Sequence, residues 1–256
     1  MKKPLNEDKE SFDVIAKPFE SGLFGGPVYE IKTQSSIGFE YQTLLNGLSH
    51  VKKNNPRLIW CKFFPYQLSS LAREVLSREN FRSVETLCTL KKSIETSDDL
   101  HIAEVESTAV REAVKDDADA VAWIGERAFQ HDRFHKDPKI SNQIADSLKR
   151  EWARNAVLGR ADKVYIYEDR DGLHGFCACM LACNRVIIDL IAVRPESQGR
   201  GIGGILLDKV CCSYRPNLLE IYVGTQLDNQ TSLKMYIGRG FEHVTQQETF
   251  HWTAGV

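Results

Sequence analysis

Asp189-Leu-Ile-Ala-Val-Arg-Pro-Glu-Ser-Gln-Gly-Arg-Gly-Ile-Gly-Gly-Ile-Leu-Leu207 is the stretch that decides the fold. An apolar strand runs from Val186 to Val193, Pro195 stops it, and a glycine-rich turn, Gly199 to Gly204, opens a helix. Glycine lets a backbone bend tightly and approach a ligand closely. The first N–H groups of a helix lack intrahelical partners and carry partial positive charge, so such a turn suits a phosphate or diphosphate. Arg200 adds a cation. The spacing, Gln198-x-x-Gly201-x-Gly203, is not the Gly-x-Gly-x-x-Gly of a dinucleotide fold, which also sits in an early β-α-β unit. It is not a P-loop either, because no Gly-Lys-Ser/Thr follows.

Working outward, Val110–Val114 reads as a short strand, and Asp117–Phe129 and Ile140–Leu158 as amphipathic helices, the second closed by Gly159. Lys163–Glu168 and Gly172–Ala182 are strands joined by Asp169-Arg-Asp-Gly172, whose Asp-Gly pair is a hairpin signal. Gly201–Ser213 is a helix, Leu218–Gly224 a strand, Asn229–Ile237 a helix, and Phe241–Trp252 a final strand or hairpin. The order is β-α-α-β-β-β-α-β-α-β, an α/β to α+β domain with a central mixed sheet flanked by helices.

These pieces together resemble the GCN5-related N-acetyltransferase (GNAT) family. Gln198, Gly201 and Gly203 match its acetyl-CoA motif, Gln/Arg-x-x-Gly-x-Gly/Ala, and Leu190 to Pro195 matches the strand before it. Arg111 to Ala120 looks like the family's first strand and helix start. Asn229, then Tyr236, then Gly240-Phe241, match its second signature. The resemblance covers about residues 107–252. Shorter pieces, Ala128–Phe134, Trp152–Val157, Val223–Gln226 and Phe19–Gly25, are similar to the dTDP-fucosamine acetyltransferase type. That branch acetylates the 4-amino group of a nucleotide-linked 4-amino-4,6-dideoxy sugar.

The resemblance implies acetyl-CoA as cosubstrate and direct transfer to an amine. It implies that Gln198, Gly199, Arg200, Gly201, Ile202, Gly203 and Gly204 hold the diphosphate, and that Ile191, Ala192 and Val193 pair with the pantetheine arm. It implies that the Ile191 N–H polarises the thioester carbonyl, that Asn229 contacts the cofactor near its thiol end, and that Tyr236 protonates the leaving thiolate. Many relatives place a Glu five residues before the Asn, where this chain has Gly224. The general base is therefore open, with His131 and His135 as relays or proton loss to water. Arg133, Phe134 and His135, in the loop His131–Pro138, are the expected acceptor contacts: a guanidinium for a sugar-nucleotide phosphate, and a ring to stack on a base or sugar. Three readings stay open: a nucleotide-sugar acetyltransferase; an acetyltransferase of a peptide N-terminus, polyamine or antibiotic; and a silent acyl-CoA-binding module.

Composition bounds the rest. The chain has 256 residues, 33 basic against 35 acidic, 42% hydrophobic and 27% charged. This length fits one large domain or two small ones. The balance argues against disorder and against a dedicated nucleic-acid binder. Met1–Glu10 is charged with no apolar stretch behind it, which argues against a signal peptide, and Val186–Val193 is too short to span a bilayer. A cytoplasmic protein is expected, with a homodimer left open. Cys177, Cys179 and Cys183 lack Cys-x-x-Cys spacing, so they read as small buried hydrophobes and no metal is expected.

The first hundred residues alternate helix (Phe39–Lys52, Tyr66–Ser77) with strand (Arg57–Phe64, Phe81–Lys91). A junction is expected at residues 94–108, dividing a smaller N-terminal α/β domain (1–106) from the acetyltransferase domain (107–256). Leu76–Val84 aligns with Tyr236–Val244 at an offset of 160, each a helix end, a loop with Asn80 or Gly240, then Phe and Val. Chance and duplication both account for so short a match. With duplication, the N-terminal domain is a degenerate GNAT-like half: it has no glycine motif, and Leu76 stands where Tyr236 does.

Overall fold

A computed structural model describes residues 12–33, 41–94, 109–214 and 220–254. The expected junction at 94–108 lies, but for Ile94, outside the described residues. In chain order the elements are β1 (Phe12–Ala16), α1 (Pro18–Phe24), β2 (Val28–Thr33), α2 (Tyr41–Lys52), β3 (Leu58–Phe63), α3 (Ser70–Arg78) and β4 (Arg82–Ser93), then β5 (Val110–Glu112), α4 (Ala118–Ala128), α5 (Arg133–Lys136) and α6 (Asn142–Asn155). There follow β6 (Lys163–Asp169), β7 (Gly172–Ala182), β8 (Arg185–Val193), α7 (Ile202–Tyr214), β9 (Glu220–Gln226), α8 (Gln230–Ile237) and β10 (Glu242–Thr253). They form two compact units, residues 1–85 with 247–256, and residues 86–246.

In the first unit β1 pairs antiparallel with β2, β2 parallel with β3, and β3 antiparallel with Glu248–Thr253 of β10. The strands present Ile31, Ile59, Cys61, Phe63 and Phe250 to one cluster, where Leu48 and Val51 of α2 and Leu76 of α3 meet them. The β1-α1-β2 segment has no counterpart among the expected elements. The expected helix from Tyr66 starts instead at Ser70, because Pro65–Gln67 forms a separate short turn and the Ser69 hydroxyl caps the helix by accepting from the Ala72 N–H at 3.1 Å.

In the second unit a mixed sheet runs β4 (from Leu87), β9, β8, β7, β6, β5. Helices cover both faces. Val121 and Ile124 of α4 and Ala153 of α6 pack on Ile166, Phe176 and Ala178. Leu206 and Val210 of α7 and Tyr236 of α8 pack on Cys177, Cys179 and Ile188. Phe176 and Cys177, adjacent in β7, thus feed opposite faces, as the two-residue period of a strand requires. The hairpin forms as its Asp-Gly signal indicates, with Asp169 opposite Gly172 and Gly172 at φ 101°. The expected helix to Leu158 ends at Asn155, where the chain widens into a turn over 156–160 that leaves through Gly159 at φ 115°.

The match at offset 160 extends well beyond Leu76–Val84. β2-α2-β3-α3-β4 and β8-α7-β9-α8-β10 follow the same order at nearly the same offset, and the first two strands of each set run parallel.

Candidate functional site

The site begins with an irregularity in β8. Ala178 of β7 pairs with Leu190, but the next residue, Cys179, pairs with Ile188, so Asp189 is left over as a bulge. A bulge bends its strand and moves later side chains to the other face. Val186 and Ile188 accordingly lie on the α7/α8 side, whereas Leu190 and Ala192 lie on the α4/α6 side. Asp189 itself is tied to Arg160 at 2.5 Å.

The bend opens the sheet. The β8–β9 ladder stops at Ile188 opposite Val223, although β8 continues to Val193 and β9 to Gln226. β8 remains paired to β7 as far as Val193, and β9 to β4 as far as Gln226. The two strands therefore part beyond that point, each still held from behind. Backbone N–H and C=O groups between Asp189 and Val193 face the gap with no β9 ladder. Such an edge can accept an extended, amide-bearing chain as an added strand.

The glycine turn follows at the end of β8. Gln198 to Gly201 are exposed. The Gln198 amide nitrogen donates to the Val193 carbonyl at 3.2 Å, tying turn to strand. Gly199 and Gly201 sit at φ 78° and 79°, the left-handed region that side chains resist. The α7 ladder starts with Ile205 N–H to Gly201 O at 3.1 Å, so the N–H groups of Ile202, Gly203 and Gly204 precede it and form the donor set of a helix N-terminus. A side chain at Gly203 would meet the Met235 sulfur at 2.9 Å, so the glycine lets α7 approach α8. The geometry fits a diphosphate held by backbone donors.

Tyr236 is 2% exposed on α8, with the Phe241 ring at 5.7 Å. Burial, with Cys177 adding to it, pushes its phenol well above the usual range and keeps it protonated. Cys177 lies opposite Ile191 in the β7–β8 ladder, so the phenol belongs to the same neighbourhood as the strand end. Asn229 caps α8, its side-chain oxygen accepting from the Ser232 N–H at 3.1 Å.

The expected acceptor loop is partly helical, which corrects its reading as a plain loop: α5 occupies Arg133–Lys136, capped by Asp132. Phe134 is 1% exposed, with Trp152 edge-on at 5.9 Å and the Arg133 guanidinium 4.7 Å above its ring. The His135 ring lies between two carboxylates, Nδ1 on Asp132 at 2.6 Å and Nε2 on Asp146 at 3.0 Å. Burial alone would lower its pKa, but the two carboxylates outweigh burial and raise it. Asp132 is likewise buried, yet Lys149 and His135 pull it down to about 2. Both rings thus face inward and brace the segment, while Arg133 keeps partial exposure. Lys136 pairs with Asp228, joining this segment to the residue before Asn229.

One group carries almost no sequence signal. His174 of β7 is fully buried and bonds Asp169, at the end of β6, and Ser197, in the short turn after β8. Arg200 of the glycine turn reaches the same Asp169 at 3.2 Å. Asp169 is held down to about 2, first by His174 and then by the Asp171 N–H. A polar residue interrupting the apolar run Gly172–Ala182 was the sole hint.

Residues 160–243, which carry the bulged strand, the glycine turn and α8, match the family described as "Acetyltransferase (GNAT) domain". Over 145 residues the chain is 26% identical to the "Spore coat polysaccharide biosynthesis protein SpsD" of Bacillus subtilis, covering 53% of this chain and 46% of that protein. The chain thus aligns with under half the length of that relative. Among solved structures it is similar to a functionally unknown conserved protein from Staphylococcus epidermidis, with TM-score 0.67, 12% identity, and 98% of this chain and 94% of that one covered. It is also similar to a GCN5-related N-acetyltransferase from Sphaerobacter thermophilus, with TM-score 0.61, 14% identity, and 96% and 77% covered. Among the described residues no helix is long and apolar enough to cross a membrane.

Proposed function

We propose that this protein is an acetyl-CoA-dependent N-acetyltransferase whose acceptor is the amino group of a nucleotide-linked amino sugar, of the dTDP-4-amino-4,6-dideoxyhexose type. The observation that carries the transfer reading is the parting of β8 from β9 at Ile188 and Val223, directly before the glycine turn. In this reading the N–H groups of the turn hold the diphosphate, and the free edge Ile191–Val193 pairs with the pantetheine amides. The Ile191 N–H stabilises the oxyanion as the amine attacks the thioester carbonyl. The carbon–sulfur bond breaks, Tyr236 protonates the thiolate, the amine's proton leaves to solvent, and the Tyr236 phenolate regains a proton from solvent once the products leave. The phenol is neutral, the state a proton donor needs, although the burial that keeps it so also makes it a weaker acid. Asn229 contacts the cofactor through its remaining amide nitrogen, and Arg133 meets an acceptor phosphate, with Phe134 and His135 bracing it.

The sugar acceptor is supported by the relative's name, which places that protein in spore coat polysaccharide biosynthesis. The recurrence at offset 160 supports reading the first unit as a degenerate half of the same fold. A free-thiol release assay with acetyl-CoA and a panel of amines tests the assignment. Turnover is expected with dTDP-4-amino sugars. Release with peptides, polyamines or aminoglycosides but with no nucleotide sugar would refute the acceptor class, and acetyl-CoA binding without turnover on any amine would refute transfer.

A further inference from the structure

Five polar side chains from four places in the chain meet beneath the glycine turn: Asp169 at the end of β6, His174 in β7, Arg194 and Ser197 after β8, and Arg200 within the turn. His174 and Ser197 are 0% and 1% exposed. Their hydrogen bonds form one continuous chain. Arginine only donates and a carboxylate only accepts, which fixes the direction of the links at its two ends. The Arg194 Nε–H donates to Ser197 Oγ at 2.9 Å, Ser197 Oγ and His174 Nδ1 share a hydrogen bond at 2.7 Å, and His174 Nε2–H donates to Asp169 Oδ1 at 2.5 Å. Arg200 closes the chain, donating to Asp169 Oδ2 at 3.2 Å and lying 3.5 Å from His174 Nδ1.

The backbone is threaded through the same group. The Arg194 N–H donates to the His174 carbonyl at 2.8 Å, and the Ser197 N–H to the Arg194 carbonyl at 2.9 Å. The following residue, Gly175, admits no side chain: a Cβ there would meet the Ala192 carbonyl at 2.9 Å and the Ile202 side chain at 3.3 Å. The strand carrying His174 therefore runs tight against both ends of the segment 192–202, and His174 grips its middle.

A network of this kind, with a buried and hydrogen-bonded centre at His174 and Ser197, fixes one geometry of the elements it joins. We propose that His174, acting through Ser197 and Asp169, is the positioning residue of the cofactor turn, holding residues 199–204 in the conformation that offers their N–H groups to the diphosphate of acetyl-CoA. This rests on the reading of that turn as the acetyl-CoA site. His174 touches no reacting atom, so its effect falls on cofactor affinity and not on the chemical step.

The test measures the acetyl-CoA dissociation constant by calorimetry, well below the unfolding temperature, alongside kcat at saturating acetyl-CoA. His174→Ala and Ser197→Ala are each expected to weaken binding about tenfold, the scale of one lost buried hydrogen bond, with kcat within about twofold of wild type. The double variant should bind no more weakly than His174→Ala, since both act through one bond. His174→Asn, which keeps a hydrogen-bonding amide near the Nδ1 position, should recover most of the affinity. Unchanged affinity in both single variants, additive losses in the double variant, or a loss confined to kcat would overturn the proposal. A wild-type chain that binds no acetyl-CoA would overturn the reading of the turn itself, and this proposal with it.

Discussion

Asn80 and Gly240 hold the same left-handed backbone conformation, φ 65° and 77°, 160 residues apart in loops of the same design. In each loop the next residue, a phenylalanine, returns its N–H to a carbonyl five residues back: Phe81 to Leu76 at 2.7 Å, Phe241 to Tyr236 at 3.1 Å. Both are helix C-terminal caps in which one residue must leave right-handed space. A Cβ at Gly240 would have nothing nearer than the Lys92 side chain at 3.9 Å, so it is the conformation and not crowding that favours glycine there. Gly240→Ala should therefore destabilise by about 1–2 kcal/mol, Asn80→Ala by less, and Asn80→Gly not at all. Denaturant midpoints with unchanged slope would check all three, and a silent Gly240→Ala would contradict the strain argument.

The two caps explain why the internal match showed in the sequence at this place. A cap leaves a fixed residue type at a fixed position, whereas the strands and helices on either side need apolar spacing alone, which many sequences satisfy. β8, the turn and α7 were legible for the same reason, since Pro195 and the glycines mark every change of direction. The bulge at Asp189 was not legible: one polar residue in an apolar strand does not announce a register shift. β1-α1-β2 was not legible either, because its runs are short and interleaved with charge. The His174 chain draws on residues from 169 to 200, and no local pattern joins them.

The Tyr236 ring is buried, so Tyr236→Phe keeps its packing and removes a single hydroxyl. If that hydroxyl protonates the thiolate, kcat should fall ~10–1000-fold with acetyl-CoA affinity nearly intact, the range for loss of one general acid. Steady-state kinetics with calorimetric binding would check it, and unchanged turnover would sink the assignment.

Gly201 lies at φ 79° with open space where a Cβ would go, so Gly201→Ala introduces strain without collision. Relief of that strain moves the N–H groups that follow. The acetyl-CoA KM should rise by roughly tenfold or more, since about 1–2 kcal/mol of strain must be met in the binding conformation, while kcat at saturation changes little. A fall in kcat with constant KM would place Gly201 in the chemical step instead.

The Asp132–His135–Asp146 bridge makes stability depend on pH in a defined direction. The folded pKa of His135 is raised above its ordinary 6.5, so its contribution is complete below about pH 6.5 and is lost as pH rises through the raised value. Asp132 is depressed from 3.8 to about 2, so its contribution is complete above pH 3.8 and fades as pH falls towards 2. Wild type should exceed His135→Gln in stability most at pH 4–6, by about 2 kcal/mol for a hydrogen bond to a charged partner, and the gap should narrow on the alkaline side. Thermal midpoints of both proteins from pH 4 to 9 would show it, and a gap constant with pH would mean that His135 is not the titrating group.

β10 ends in the first unit, where Glu248–Thr253 lies antiparallel to Leu58–Phe63 and Phe250, 4% exposed, sits in that unit's core. Deleting residues 1–85 removes β3, and with it the backbone partner of this last strand and the cluster around Phe250. An unpaired, partly apolar strand edge is an aggregation site. The truncated chain 86–256 should therefore express as aggregate, and removing residues 247–256 as well should restore part of its solubility. Sedimentation of the two truncations beside the full chain would check this. A soluble and fully active 86–256 would mean that the final strand needs no partner from the N-terminal residues.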